Sequence, residues 1–302
     1  MKDDKDFEVI IVGGSYAGLS AAMALGRALR KVLVIDSGQP CNRQTPHSHN
    51  FLTQDGKTPA EIAGLAKKQV EAYKTVQFRF DRAVSAKKTA TGFEINTQTG
   101  STYSARKLIL ATGIYDIMPN IPGFAECWGI SVIHCPYCHG YEVRNEKTGI
   151  LANGDNGFEL AKLINNWTKD LTLFTNGKST LTGEQAAKLE EHHIKVVETE
   201  ISYFYHNAGQ IQHLVFQDKS KMAMRAVYAR LPFKLHSDIP VALGCELTEQ
   251  GYIKVDILQR TTIPGVAACG DHTILMRSVA NAVASGAMAG AGINKELIEE
   301  EF

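Results

Sequence analysis

Hydrophobic and polar positions change period repeatedly along the first forty residues. A β-branched run from Val9 to Val12 gives way to the turn Gly13-Gly14-Ser15-Tyr16-Ala17-Gly18 and then to an Ala/Leu-rich stretch. A second apolar run, Val32 to Ile35, closes on Asp36. Strand, Gly-rich turn, helix and strand in that order predict a βαβ unit. Residues 57–73 predict a helix, with Thr58 as cap, Pro59 in the first turn and Glu61 at the capping-box position. Residues 76–110 alternate as strands around Gly-containing turns, and the last of these, "KLILATG", ends at Gly113. "MPNIPGF" (118–124) reads as a hinge or linker.

A weaker copy of the first unit spans residues 147–177, with Ala152, Gly154 and Gly157 in place of the three fingerprint small residues. The chain therefore contains an internal duplication of a nucleotide-binding fold. Thr182 and Gln185 have capping-box spacing before another helix, and "EISYFYH" and "QIQHLVFQD" read as two strands. Residues 251–293 predict strands, a Gly270-Asp271 turn and a helix lined with small side chains, able to pack close to a sheet or a cofactor. The fold class expected is α/β, with two Rossmann-like, three-layer nucleotide-binding domains, and a length of 302 residues agrees with two cores.

Charge removes some functions. Lys+Arg and Asp+Glu number 32 each, without a strongly basic run, so no nucleic-acid partner is expected. The polar start "MKDDKDFE" lacks a signal-like apolar core, and "SVANAVASGAMAGAGI" is too short and too polar to span a bilayer. The expectation is a cytoplasmic protein without membrane attachment. Cys41, Cys127, Cys245 and Cys269 stand alone, as reduced and mostly buried thiols do.

Two features bear on chemistry. The turn Gly13–Gly18 between strand and helix, with Asp36 at the end of the second strand, is a dinucleotide fingerprint in its proper context. Turn amides and the helix N-terminus suit a pyrophosphate, and the acid suits a ribose hydroxyl. Ser15 replaces the middle glycine, and Gly14 is expected to supply the missing flexibility. The second feature is Cys135-Pro136-Tyr137-Cys138-His139. Alone it fits a haem attachment site, half a zinc site or a redox dithiol. His47-x-His49 and His192-His193 lack finger spacing, and no metal ligands are expected.

Taken in order, "VGGSYAG", "LILATG", "IPGF", the Cys pair, a second nucleotide fold, "TTIPGVAACGDH" and "RSVANAVASG" resemble the low-molecular-weight thioredoxin reductases, flavoproteins of the pyridine nucleotide-disulfide oxidoreductase group. The resemblance covers essentially the whole chain. It implies FAD along Gly13, Ser15, Ala17 and Gly18, with Asp36 on the adenosine ribose. It places Asn50, Thr112, Gly113, Asp271, Arg277, Ser278 and Val279 near the flavin end and ribityl chain. It also implies a discontinuous FAD domain, 1–119 plus 241–302, with the NAD(P)-like domain inserted at 120–240. Electrons would pass through FAD and the Cys135/Cys138 pair to a disulfide such as that of thioredoxin, Cys138 facing the flavin and Cys135 exchanging with the partner, in a homodimer.

Two departures qualify that implication. Thioredoxin reductases carry aspartate after the second cysteine, whereas this chain has His139, a residue suited to acid/base work near neutral pH. The CxxCH version resembles dithiol oxidases of the gliotoxin type, which close small-molecule disulfides and use oxygen. His134 and Glu142 are read as structural. The second fold also lacks the His-Arg-Arg run that holds the NADPH 2′-phosphate, offering Thr175-Asn176-Gly177 and Lys178 instead. FAD is therefore the expected cofactor and NADPH the weaker expectation. The function expected is a thioredoxin reductase-like oxidoreductase acting on a thioredoxin-like protein or a small dithiol/disulfide substrate; the alternatives are a dithiol oxidase using oxygen as acceptor without NADPH, and a flavin-bearing redox sensor.

Overall fold

The computed structural model describes residues 5–302. In chain order the elements are β1 (Asp6–Val12), α1 (Tyr16–Arg27), β2 (Val32–Asp36), α2 (Pro59–Glu71), β3 (Val76–Phe80), β4 (Ala83–Thr89), β5 (Gly92–Thr97), β6 (Thr102–Leu110) and β7 (Ile114–Asp116). Then come α3 (Phe124–Cys127), β8 (Val132–Ile133), α4 (Pro136–His139), β9 (Thr148–Leu151), α5 (Gly154–Ile164), β10 (Leu171–Phe174), α6 (Gly183–Glu191) and β11 (Lys195–Val197). The remainder is β12 (Ile201–Asn207), β13 (Gln210–Phe216), β14 (Lys221–Ala223), β15 (Ala226–Ala229), β16 (Phe233–Leu235), α7 (Ile239–Ala242), β17 (Val266–Ala268) and α8 (Val279–Glu301).

Two compact units result. The first comprises the segment ending at Arg43, Pro59–Tyr115 and Phe233–Phe302. Its sheet runs β3-β2-β1-β6-β5-β4. β6 is long enough to pair antiparallel with β5 near its start and parallel with β17 near its end. β1, β2, β3 and β6 are mutually parallel, which fits the near-continuous apolar runs of β1 and β2. The helix expected from small residues is α8, and it lies against α1. A Cβ on Gly286 would come within 2.1 Å of the Ala17 carbonyl oxygen, and one on Gly290 within 2.8 Å of that of Ala21. Ser20 Oγ donates to Val283 O at 2.7 Å across the same contact. Farther along α8, Lys107 Nζ meets Glu296 at 3.0 Å, while Arg30 bridges Glu8 and Glu301 at 2.7 and 2.8 Å.

The second unit comprises Gln44–Thr58 and Asp116–Pro232. Its five-stranded parallel sheet runs β11-β10-β9-β15-β8, and β12, β13 and β14 form a separate antiparallel sheet. One core gathers Phe124, Trp128, Phe174, Phe204 and Phe216, and another gathers Ile150, Leu160, Leu173, Leu189 and Tyr228. The capping box of α6 is formed: Gln185 N donates to Thr182 Oγ1 at 3.2 Å and Thr182 N to Gln185 Oε1 at 2.9 Å. Strands predicted across 251–265 are instead loops tied by isolated bridges, Leu247 to Ile253 and Arg260 to Ala267. Among the described residues no helix is long and apolar enough to cross a membrane.

His272 follows the Gly270-Asp271 turn and is fully buried. Its Nδ1 accepts from Gly113 N at 2.8 Å, so the ring stays neutral while that bond holds. Burial pushes its pKa down from 6.5 to about 4, with Leu110 O opposing. The unfolded chain therefore binds this proton more readily, and stability falls as pH drops from 6.5 to about 4, then levels off. His272→Asn keeps an acceptor for Gly113 and removes the titration. Thermal unfolding across that range should show a shallower acid loss in the variant than in the wild type. Equal slopes would place the acid sensitivity elsewhere.

Candidate functional site

Eleven of the residues expected at the cofactor lie in the first unit: Gly13, Ser15, Ala17, Gly18, Asp36, Thr112, Gly113, Asp271, Arg277, Ser278 and Val279. The turn is shaped by space. Gly13 has φ +103°, and a Cβ there would stand 2.3 Å from Ala111 O. Gly18 is pressed against Gly13, whose carbonyl oxygen would be 1.9 Å from an added Cβ. Gly14 does not take a left-handed φ, contrary to the role expected of it. It is required because an added Cβ would meet Asp36 Cβ at 2.8 Å, and its N–H donates to Asp36 Oδ1 at 2.9 Å. Asp36 Oδ2 also accepts from Gly38 N at 3.2 Å, so the carboxylate is held at the strand end.

The N-terminus of α1 suits a phosphate group. Ser15 is its N-cap in extended conformation, the Ser15 side chain makes no capping bond, and no acid stands in the first turn. At the other end of the expected cofactor path, Thr112 Oγ1 is buried without a hydrogen-bond partner. A buried hydroxyl in that state costs stability unless a ligand completes it. The adjacent Gly113 has φ +66° and open space where a side chain would stand. Asp271 Oδ2 is 3.7 Å from Arg277 Nε and 3.8 Å from Cys41 Sγ. Ser278 caps α8 by accepting from Asn281 N at 3.1 Å, and Val279 is the first residue of that helix. These residues fit FAD.

The homologous position in the second unit does not suit a nicotinamide dinucleotide. Asn153 caps α5 with its own side chain: Oδ1 accepts from Gly154 N at 2.8 Å and from Thr180 N at 2.9 Å. Its Nδ2 donates to Lys178 O at 2.9 Å. The loop 178–180 is thereby tied over the start of α5, and a Cβ on Gly154 would meet Thr180 Oγ1 at 2.8 Å. Asp155 adds a carboxylate to the first turn, held by Gln185 Nε2 at 2.7 Å, and a negative charge there opposes a phosphate. The fingerprint glycine that lets backbone approach a pyrophosphate in such folds is kept as Gly154, and it is the Thr180 side chain that stands against it.

The cysteines also lie in the second unit. Cys135 and Cys138 form a disulfide with Cα atoms 5.3 Å apart, which is the redox reading of the three open to the motif. Cys135 is the extended N-cap residue of α4 and Pro136 takes its first position. α4 is a single turn, so its dipole contributes less to the cysteines than a full helix beginning at Cys135 would. His139 ends that turn, bonded through its N–H to Cys135 O at 3.2 Å. Burial lowers the His139 pKa below 6.5, the neighbouring His49 lowers it further, and Glu142 opposes both. It is therefore an unprotonated base at neutral pH. The buried thiols differ: burial pushes Cys127 up to about 11 and Cys269 to about 12, leaving them protonated and unreactive, whereas Cys41 is exposed.

A cavity of about 310 Å³ opens beside Cys138, lined by His49, Asn50, Asp55, Pro136, Tyr137, Tyr141, Glu142 and Trp167. Asn50 thus groups with the cysteines in this unit, whereas the other expected cofactor residues lie in the first. It takes φ +57° and its N–H donates to Asp55 Oδ1 at 2.7 Å. Sequence reasoning missed His49 and Asp55 and read Glu142 as structural. Their only signal was an H-x-H pair in a loop more than eighty residues from the cysteines, and only the fold brings it there.

A family model for pyridine nucleotide-disulphide oxidoreductases matches residues 7–286. A thioredoxin reductase from Claviceps purpurea, tcpT, is 35% identical, the match covering 97% of this chain and 95% of the relative. The solved structure of an oxidoreductase from Agrobacterium tumefaciens superposes with a TM-score of 0.91 at 38% identity, over 97% of this chain and 99% of that one. A putative thioredoxin reductase from Bacillus anthracis superposes with a TM-score of 0.94 at 30% identity, over 98% of this chain and 100% of that one.

Thr112→Val is nearly isosteric and removes only the orphaned hydroxyl. It should leave the apoprotein as stable as the wild type or more so, and weaken FAD retention roughly 3- to 10-fold. Flavin-to-protein absorbance ratios after dilution and dialysis measure this. Unchanged retention would remove Thr112 from the cofactor path.

Proposed function

The chain belongs to the pyridine nucleotide-disulphide oxidoreductase family and is a thioredoxin reductase-like, FAD-dependent enzyme; from that premise we propose that its disulfide is reduced by a dithiol substrate rather than by way of a nicotinamide. The observation that carries this direction is the self-capped start of α5, where Asn153 takes the first N–H, Thr180 is tied to it and Asp155 adds a negative charge. FAD, when bound, supplies a two-electron acceptor for the reduced cysteine pair.

The remaining chemistry belongs to the chain. A substrate thiol gives its proton to His139, and the resulting thiolate attacks Cys135 Sγ. The Cys135–Cys138 bond breaks and Cys138 leaves as a thiolate. The second substrate sulfur then attacks the mixed disulfide and releases Cys135. The substrate loses two electrons and two protons: one proton is on His139, the second substrate thiol gives its proton to the departing Cys135, and the protein disulfide becomes a Cys135 thiol with a Cys138 thiolate. Assigning Cys135 to the substrate and Cys138 to the flavin follows the resemblance. The cavity beside Cys138, with aromatic walls from Tyr137, Tyr141 and Trp167, is of a size for a small molecule. The name of the Claviceps purpurea relative favours a second reading, in which the pair reduces a thioredoxin-like protein. The residues grouped above as the cofactor path, and a homodimeric assembly, are part of this proposal.

Anaerobic stopped-flow mixing separates the two. The dithiol dithiothreitol should bleach the visible flavin band while NADPH leaves it intact. Bleaching by NADPH at a comparable rate would overturn the proposed direction. Cys138→Ser should keep FAD bound and stop electron transfer between dithiol and flavin, and retained transfer would refute its assignment. His139→Ala should slow dithiol turnover roughly 100-fold. The wild-type rate should fall as pH drops through a value below 6.5, where His139 becomes protonated, and the variant should lose that limb.

A further inference from the structure

His49 is carried on a loop that fixes its position independently of the cysteines. Ser48 is buried, its N–H donates to Lys57 O at 2.8 Å, and its carbonyl accepts from Gly56 N at 2.9 Å. His47 Nδ1 bonds Gly56 O at 2.9 Å, and Asn50 and Asp55 close the same loop. The His49 ring is presented between two carboxylates. Nδ1 lies 3.6 Å from Asp55 Oδ1 and Nε2 lies 3.6 Å from Glu142 Oε1. The ring also stands edge-on to His139, with centroids 6.4 Å apart and planes at 88°. His49 and Cys138 line the same cavity.

We propose that His49 and His139 form a proton-relay pair in which His49 is the positioning partner, passing the thiol proton received by His139 toward Glu142 and Asp55 at the cavity rim. The inference rests on the reading that a dithiol reduces the disulfide, and it deepens that reading. Two imidazoles at this separation do not share two positive charges cheaply, and His49 accordingly lowers the His139 pKa. The carboxylates on either side of His49 draw a proton outward, away from sulfur. Bonds and charges balance: N–H forms on His139 as S–H breaks, the proton moves outward, and no electron pair leaves the sulfur atoms by this route.

The groups facing the pair come from every element around it. His47 and Asp55 belong to the 44–58 loop, and the His47 ring centroid is 6.4 Å from that of His49. Glu142 follows α4 and bears on His139. From β15, the buried Tyr228 hydroxyl has no hydrogen-bond partner, and burial, with Glu142 adding, pushes its pKa well up, so it stays protonated. Tyr137 and Tyr141 line the same cavity, as does Cys138.

The test uses holoenzyme and dithiothreitol, following anaerobic flavin bleaching from pH 5 to pH 9. His49→Phe should retain FAD to the wild-type ratio, slow bleaching roughly 10-fold, and move the acid limb attributed to His139. His49→Gln, able to bond Glu142 without carrying a proton, should keep the slow rate. Glu142→Gln should shift the same limb in the opposite sense, because the carboxylate that raises the His139 pKa is gone. Histidine ring NMR on the same samples follows the coupled titration without turnover. Wild-type rate and profile in both His49 variants, with the His139 ring titrating unchanged, would overturn the relay. If NADPH rather than dithiothreitol bleaches the wild-type flavin, the proposed direction fails, while the NMR titration still decides the relay by itself.

Discussion

The C-terminal helix can lie along the first helix only because no side chain separates them. Ala17 and Ala21 on α1 present bare backbone to Gly286 and Gly290 on α8, and a single methyl group would collide with a carbonyl oxygen at either glycine. This approach draws the last residues of the chain back over the βαβ turn that opens it. It sets Ser278, Val279 and Asp271 in the same unit as Gly13 and Asp36, although more than two hundred residues separate them in sequence. The ion pairs of Arg30 and Lys107 with Glu8, Glu296 and Glu301 then fix the far end of α8. Without this contact the expected cofactor residues would be split between two unconnected segments.

The duplicated nucleotide fold has two fates in one chain. Both copies present a helix N-terminus at the end of a parallel strand, and in both a small-residue turn precedes it. At α1 the cap side chain makes no bond and the first turn is free of acid. At α5 an asparagine amide takes the first N–H, a neighbouring loop is tied down onto it, and an aspartate follows. The same backbone dipole is thus open to an anion in one copy and already satisfied in the other. Differences in a few side chains, rather than in fold, set how open each helix N-terminus is to an anion.

The βαβ units, the α2 helix, the capping box of α6 and the strands β12 and β13 were legible in the sequence, because each rests on local periodicity or cap chemistry. The order of motifs identified the cysteine pair as redox-active. Gly14 was misread, since its need is for room beside Asp36 and not for an unusual φ; a contact between residues twenty-two apart leaves no local trace. Strands were overcalled across 251–265, where apolar residues pack singly and the backbone is held by isolated bridges. His49 and Asp55 were invisible as site residues because neither lies near the cysteines along the chain. The filled cradle at α5 was partly legible in Ala152, but the Asn153 cap and the loop that closes on it were not.

The first unit is begun by one part of the chain and finished by another, and this has a consequence during synthesis. β17 and α8 emerge from the ribosome only after all of Asp116–Pro232 has been made. At roughly 5–20 residues per second that interval is on the order of ten seconds. During it β6 lacks its β17 partner and the apolar face of α1 lacks its cover, while nearly all of the second unit can already pack. The second unit is thus placed to mature first on the nascent chain, and the expected cofactor cradle of the first unit is completed only after it.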